Sequence, residues 1–164
     1  MDPKTQHELE QLCEAPPPAD YLALLKCYPV ELRQAFRADD GQDFEGTVAD
    51  VELLAEPAEI LKINQEVRMG TILDPEGREF RWPDQLLVIG ETGDGDYYCV
   101  DADGEHPGVL QFRHHAVEFE YIAKSLSDFV DMLIESFVNR GDSDDDEPTD
   151  DDDFDDDSDE PDSE

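Results

Sequence analysis

The sequence has few basic residues and no long apolar run. Only 11 of its 164 residues are Lys or Arg, against 46 Asp or Glu, and the formal net charge is −35 at pH 7. Such a charge repels a phosphate backbone and an anionic membrane, so we expect neither nucleic acid nor membrane as a partner. No apolar run approaches the roughly 18 residues of a membrane span, and the polar N-terminus lacks the apolar stretch of a secretory signal.

Cysteine is also scarce. The three residues, Cys13, Cys27 and Cys99, are odd in number and widely spaced. This pattern is typical of free thiols in a reducing compartment rather than of a disulfide framework. We therefore expect a cytoplasmic protein.

The acidic residues are concentrated at the C-terminus. Residues 142–164 contain 16 Asp or Glu, no base and one large apolar residue, Phe154. A segment with so little to bury is predicted to be disordered. We place a folded domain at residues 1–140 and an acidic tail at 141–164. The chain before the tail contains 30 acids and all 11 bases, which gives it a net charge of −19. It also contains every hydrophobic residue of the sequence except Phe154.

Four helix-start patterns occur in the predicted domain. Thr5 and Glu8 have the spacing of a capping box, and Ser125 and Asp128 repeat it before an amphipathic stretch. Asp20 is predicted to cap a second helix, and Pro57 is well placed in the first turn of a third.

Short apolar segments separated by turn residues predict strands. Asp74–Gly77 and Asp103-Gly104 are turn patterns, and Asp39–Glu45 is predicted to be a loop. The predicted strands are Val48–Leu54, Leu86–Gly90, Tyr97–Val100, Val109–Phe112 and an alternating, half-exposed Val117–Tyr121. Short turns between strands, with helices on either side, predict an α+β fold with a largely antiparallel sheet flanked by helices.

Two acidic, glycine-containing segments are candidate ligand loops. Phosphate-binding loops use backbone N–H groups, but Glu91–Asp96 surrounds its glycines with carboxylates, so a tight turn is the favoured interpretation. Asp101–Glu105 resembles the start of a calcium loop. Its sixth and twelfth positions are however His106 and Phe112 instead of Gly and Glu, which favours a hairpin turn.

No arrangement typical of catalysis is present. Cys99 lies in an apolar strand, and no Ser has the Gly-x-Ser-x-Gly setting. His114 and His115, if on a strand, would point to opposite faces and not share a metal. We expect no enzymatic activity, no cofactor and no metal. The single Trp82 is predicted to be either a core residue or an interface anchor.

Residues Trp82–Asp101 resemble the centre of the SUKH superfamily, in the branch of the yeast Smi/Knr cell-wall assembly regulators. The match lies in a buried strand, a Gly/Asp loop and an aromatic strand that ends in Asp. Val109–Phe112 and Phe119–Phe129 are similar to the next strand and to the closing strand and helix. The resemblance covers most of residues 18–138. It implies an α+β domain without enzymatic activity. Many bacterial members are thought to be immunity proteins that neutralise polymorphic toxins, often nucleases, whereas fungal members are regulatory interaction proteins.

The charge and the resemblance together suggest a monomeric immunity-type protein with a basic partner, such as a nuclease toxin. The alternatives are a regulatory module without a toxin partner and a metal-dependent enzyme that uses acidic loops. The tail would either maintain solubility or mimic nucleic-acid charge. The candidate contact residues are Glu91, Asp94, Asp96, Asp101, Asp103, Glu105 and Trp82.

Overall fold

Helices and antiparallel strands make up the described part of the chain. A computed structural model describes residues 1–32 and 51–141, with side chains given for 1–32 and 53–136. Its helices are α1 (Pro3–Cys13), α2 (Ala19–Lys26), α3 (Pro57–Met69) and α4 (Leu126–Gly141). Its strands are β1 (Val51–Leu53), β2 (Ile72–Leu73), β3 (Glu79–Phe80), β4 (Leu86–Thr92), β5 (Tyr97–Asp101), β6 (Val109–Arg113) and β7 (Glu118–Ala123). Residues 142–164 of the predicted tail, the loop Asp39–Glu45 and residues 48–50 of the first predicted strand lie outside the described residues, whereas Gly141, predicted to begin the tail, ends α4.

The strands form a five-stranded antiparallel sheet in the order β1-β4-β5-β6-β7, and β2 and β3 form a separate hairpin. Each of the last three connections is short, so neighbours in sequence are neighbours in the sheet. The predicted α+β class with a largely antiparallel sheet is confirmed. Glu91 and Thr92, predicted to be in a loop, instead extend β4 and pair with β1.

The predicted helix starts were partly wrong. Helix α1 begins two residues before Thr5, and its cap is Asp2, whose carboxylate accepts hydrogen bonds from the backbone N–H groups of Lys4 and Thr5. Helix α2 begins at Ala19, so Asp20 lies in its first turn instead of capping it. Pro57 opens α3 as predicted. Ser125 caps α4 as predicted, since its Oγ accepts from the Asp128 N–H at 3.0 Å.

Aromatic residues pack on both faces of the sheet. Trp82 lies against Phe112 and Phe119, with ring centroids 5.1 and 5.6 Å apart. On the opposite face, the Tyr98 ring packs 4.9 Å from that of Phe129 in α4. Alternate residues of a strand point to opposite faces of the sheet. The sheet therefore has apolar side chains packed against both of its faces. Helix α3 contacts both β4 and α1 and completes the described core.

The buried amide of Asn64 completes the hydrogen bonding of β4. Beyond Leu54 the chain leaves the sheet, so β4 has no strand partner on that side at Val88. There Asn64 Nδ2 donates to Val88 O at 2.8 Å, and Asn64 Oδ1 accepts from Val88 N at 2.9 Å. The second N–H donates to Ile60 O at 2.8 Å and the second lone pair accepts from Arg68, so the amide is fully satisfied.

Arg68 ties three parts of the fold together. Its guanidinium donates to Leu12 O at 3.2 Å, to Asn64 O at 2.9 Å and to both Asp84 O and Leu86 O at 3.0 Å. These acceptors belong to α1, α3 and the segment that enters β4. Partial burial lowers the pKa of Arg68, but a guanidinium remains charged at neutral pH.

Candidate protein-binding surface

The candidate contact loops lie at opposite ends of β5. Glu91 lies near the end of β4 and Asp94 and Asp96 lie in the β4–β5 turn that follows, whereas Asp101 ends β5 and Asp103 and Glu105 lie in the β5–β6 connection. The five-residue strand between them spans about 17 Å. The structure therefore separates the predicted contact residues into two groups that face different ends of the sheet.

Trp82 is a core residue in the structure. Only 2% of its surface is exposed, and its indole Nε1 donates to Leu86 O at 2.9 Å. Its ring also makes an edge contact with Tyr97 at 5.9 Å. Of the two predicted roles, the core role is the one that this placement supports, and we leave Trp82 out of the proposed surface.

Asp101 organises the β5–β6 connection from within. Its carboxylate is buried and accepts from the backbone N–H groups of Asp103 and His106 at 2.9 and 3.0 Å. The Nδ1 atom of His106 lies 2.8 Å from the same carboxylate. Asp101 thus holds the connection in shape, while Asp103 and Glu105 are exposed.

Asp96 has the same role in the β4–β5 turn. Its carboxylate accepts from the backbone N–H of His114 at 2.9 Å and from Gln111 Nε2 at 2.9 Å, and it lies 2.6 Å from His114 Nδ1. Partial burial raises the pKa of Asp96, but the hydrogen bonds from His114 and Gln111 outweigh it and hold the pKa below its ordinary value. Asp96 therefore links the β4–β5 turn to the β6–β7 turn.

We expect Asp96→Asn to lower the free energy of unfolding by about 1–2 kcal/mol at pH 7, because two donors lose a charged acceptor. The folded-state pKa of Asp96 lies below its unfolded value of about 3.9. The carboxylate's contribution is therefore complete above that pH and is lost as the pH falls through the folded pKa. Urea unfolding at a series of pH values should show the difference from wild type shrinking in acid.

The exposed Asp94, in the same turn, provides the matched control. Asp94→Asn removes the same charge and is expected to change stability by no more than about 0.5 kcal/mol. Equal effects of the two substitutions would contradict the structural role of Asp96.

Five carboxylates lie at the end of the sheet that carries the β4–β5 and β6–β7 turns, three of them exposed and two, Glu91 and Asp96, half-buried. We call this surface the acidic turn end and define it by five residues, Glu91, Asp94, Asp96, Glu118 and Glu120. Arg113 lies among them, with its guanidinium 2.6 Å from Glu120. Sequence reasoning did not select Glu118 and Glu120, because only the sheet register brings β7 beside the β4–β5 turn through Asp96 and His114.

Several basic side chains of the described surface already lie against carboxylates. Arg78 is 2.7 Å from Asp74, Arg81 is 3.1 Å from Asp84 and Lys62 is 3.7 Å from Glu66. Such exposed pairs contribute little to stability. Each pair cancels one basic charge against one acidic charge, so the surplus of acids over bases in the sequence is unchanged.

The described residues contain no group of three or more His, Cys, Asp or Glu side chains placed to hold a metal ion. His114 and His115, considered above as strand residues, lie in the β6–β7 turn with ring centroids 3.7 Å apart. Burial raises the pKa of the Cys99 and Cys13 thiols, which keeps both protonated at neutral pH. Among the described helices, none is long and apolar enough to cross a membrane.

Comparison with protein-family models matches residues 8–132 to the SMI1 / KNR4 family (SUKH-1). The matched range includes every described strand and the first seven residues of α4. Searches of curated proteins and of solved structures gave no significant match.

Proposed function

Because the chain belongs to the SMI1 / KNR4 family (SUKH-1), whose members are generally non-catalytic immunity or regulatory domains, we propose that it is an immunity-type protein. Its proposed role is to bind and neutralise a basic toxin, such as a nuclease, through an acidic surface. The acidic turn end is the observation that carries this proposal.

The physical argument rests on charge. A nuclease must hold phosphates, and its active-site cleft is therefore basic. A protein with a surplus of surface acids is steered toward such a cleft, and association is accelerated at low salt. A bound acidic surface would also exclude the nucleic acid by occupying its phosphate positions.

The surroundings of each carboxylate decide which acids we assign to partner contact. Asp96 and Asp101 are engaged in hydrogen bonds that shape their turns, so their substitution would change the fold as well as the charge. Asp94 is exposed and Glu91 is half-buried on the adjoining strand. These two are the acids of the β4–β5 turn that we assign to partner contact.

The first experiment is a pull-down from the source cells with the tagged full chain, eluted by a salt gradient and analysed by mass spectrometry. One dominant basic polypeptide released at raised salt is the expected result. A set of proteins whose retention does not depend on salt would instead favour a regulatory module without a toxin partner.

For a captured partner, we expect the double substitution Glu91→Gln/Asp94→Asn to weaken binding by about fivefold and to reduce its salt dependence. The loss should appear mainly in the association rate, because the two charges lie at the surface. Stopped-flow association at several salt concentrations measures both effects.

The matched control is Asp103→Asn/Glu105→Gln, which removes two exposed acids at the other end of β5. Its smaller effect would place the contact at the acidic turn end. If the control weakened binding as much as the test variant, the attraction would come from net charge alone.

A further inference from the structure

Among the described strands, β7 lies at one edge of the five-stranded sheet. It pairs with β6 on one side, and within residues 1–32 and 51–141 no strand pairs with its other side. The opposite edge of the sheet is formed by the three-residue β1. An edge strand presents unpaired N–H and C=O groups that can accept a strand from another chain. The six-residue β7 is long enough to do so.

The first four side chains of β7 alternate between acidic and aromatic residues. Phe119 lies opposite Phe112 and Tyr121 lies opposite Leu110, so both belong to the face that carries Trp82. Tyr121 is nevertheless 54% exposed, whereas Leu110 is buried, because β7 is the outermost described strand. Glu118 and Glu120 are exposed on the opposite face. The edge thus offers apolar surface on one face and carboxylates on the other.

The irregularity of β7 lies near one end. The register shift places one extra residue, Ile122, between the β7 partners of Val109 and Leu110. Glu118–Tyr121 pair in regular register, so this part can template a neighbouring strand. Edges that must stay unpaired are often protected by lysine or proline, and β7 contains neither.

Charge determines which strand this edge accepts. A second copy of β7 would place its own glutamates on the face that already carries Glu118 and Glu120, and like charges on neighbouring strands are unfavourable. A strand with basic residues at alternate positions would place them beside these glutamates, of which Glu120 also pairs with Arg113 of β6. Its intervening apolar residues would extend the surface of Phe119 and Tyr121.

We propose that the outer edge of β7 is the docking site for an extended segment of the partner, with alternating basic and apolar residues, which adds a further strand to the sheet. The inference rests on the proposed function, since it requires a basic partner. The site is continuous with the acidic turn end, because Asp96 joins the β4–β5 turn to the β6–β7 turn that leads into Glu118.

The probe is a synthetic peptide of about eight residues that alternates lysine with valine. Its matched control has the same sequence and charge but carries N-methyl groups on the amides of alternate residues, which removes strand hydrogen bonds. Both are added to the full chain at physiological salt, so that weak attraction to exposed acids is largely screened. Amide hydrogen exchange is followed residue by residue.

The expected result is protection of the rapidly exchanging amides of residues 118–121 by the alternating peptide. The N-methylated peptide should bind about tenfold more weakly, because it loses hydrogen bonds to the edge. Glu118→Lys should weaken binding of the alternating peptide severalfold, whereas Glu59→Lys, on the exposed face of α3, should not.

Three results would overturn the inference: equal binding of both peptides, protection confined to residues outside β7, or concentration-dependent protection of β7 without peptide. The last would mean that a second copy occupies the edge. The captured partner separates this inference from the proposed function. If its binding depends on Glu91 and Asp94 but not on Glu118, the proposed function remains and only the edge site is wrong.

Discussion

Gly108→Ala is expected to destabilise the protein by about 3–5 kcal/mol. An alanine Cβ at this position would lie 2.1 Å from the carbonyl oxygen of Ala123 and 2.8 Å from the carbonyl carbon of Lys124. These are backbone atoms, so no side-chain rotation can relieve the contact. In addition, Gly108 has a φ of +96°, which L-residues rarely adopt. Either the β5–β6 connection or the junction between β7 and α4 must move.

Gly104→Ala is the matched control in the same connection. Gly104 also has a positive φ, +72°, but no atom lies within 4 Å of its hypothetical Cβ. This substitution should therefore cost only about 1–2 kcal/mol of backbone strain. Urea unfolding of the two variants measures the difference, which isolates the close approach of Gly108 to β7. Equal losses of unfolding free energy would show that backbone strain at positive φ explains both substitutions and that the close approach of Gly108 to β7 adds nothing.

Asn64→Leu is expected to cost about 3 kcal/mol, because it leaves the N–H and C=O groups of Val88 buried without partners. Leucine has the same branching at Cγ as asparagine but bulkier methyl groups, so it leaves no cavity, and the loss combines the missing hydrogen bonds with crowding at this buried site. The Arg68 guanidinium would lose one acceptor as well. Urea unfolding at pH 7 is the measurement, and hydrogen exchange at Val88 reports the local effect.

The neighbouring Gln65 gives the control for the Asn64 variant. It is exposed on the same helix, so Gln65→Leu makes a similar chemical change without removing a buried hydrogen bond. Its effect should stay within about 0.5 kcal/mol. A comparable loss in both variants would mean that α3 responds to added apolar character and not to the missing amide.

These variants also separate structural from contact residues at the proposed binding surface. Asp96 and Asp101 fix the turns, whereas Asp94 and Asp103 are exposed, although all four look alike in the sequence. Neutralising all four together would therefore combine a loss of stability with a loss of charge. Substitutions confined to Glu91 and Asp94 avoid this, which makes partner affinity interpretable.

The amino-acid sequence by itself determined the elements with strong local preferences. The apolar run Leu86–Gly90, the turn Asp74–Gly77 and the cap at Ser125 depend on burial, glycine geometry and hydrogen bonds within a few residues. The family resemblance was confirmed by the match to residues 8–132, and the α+β class was confirmed as well. At the start of α1 both Asp2 and Thr5 are residue types that cap helices. The sequence pattern did not reveal that Asp2 accepts hydrogen bonds from the first backbone N–H groups of the helix.

Only the tertiary structure decided how distant residues combine. It placed the two acidic loops at opposite ends of β5, buried Trp82 and brought Asn64 to the unpaired side of Val88. Among the described strands, it also placed β7 at the edge of the sheet, beside the acidic turn end. The reason is that local patterns specify which face of an element is apolar, whereas strand order, register and the partner of each polar group follow from long-range packing.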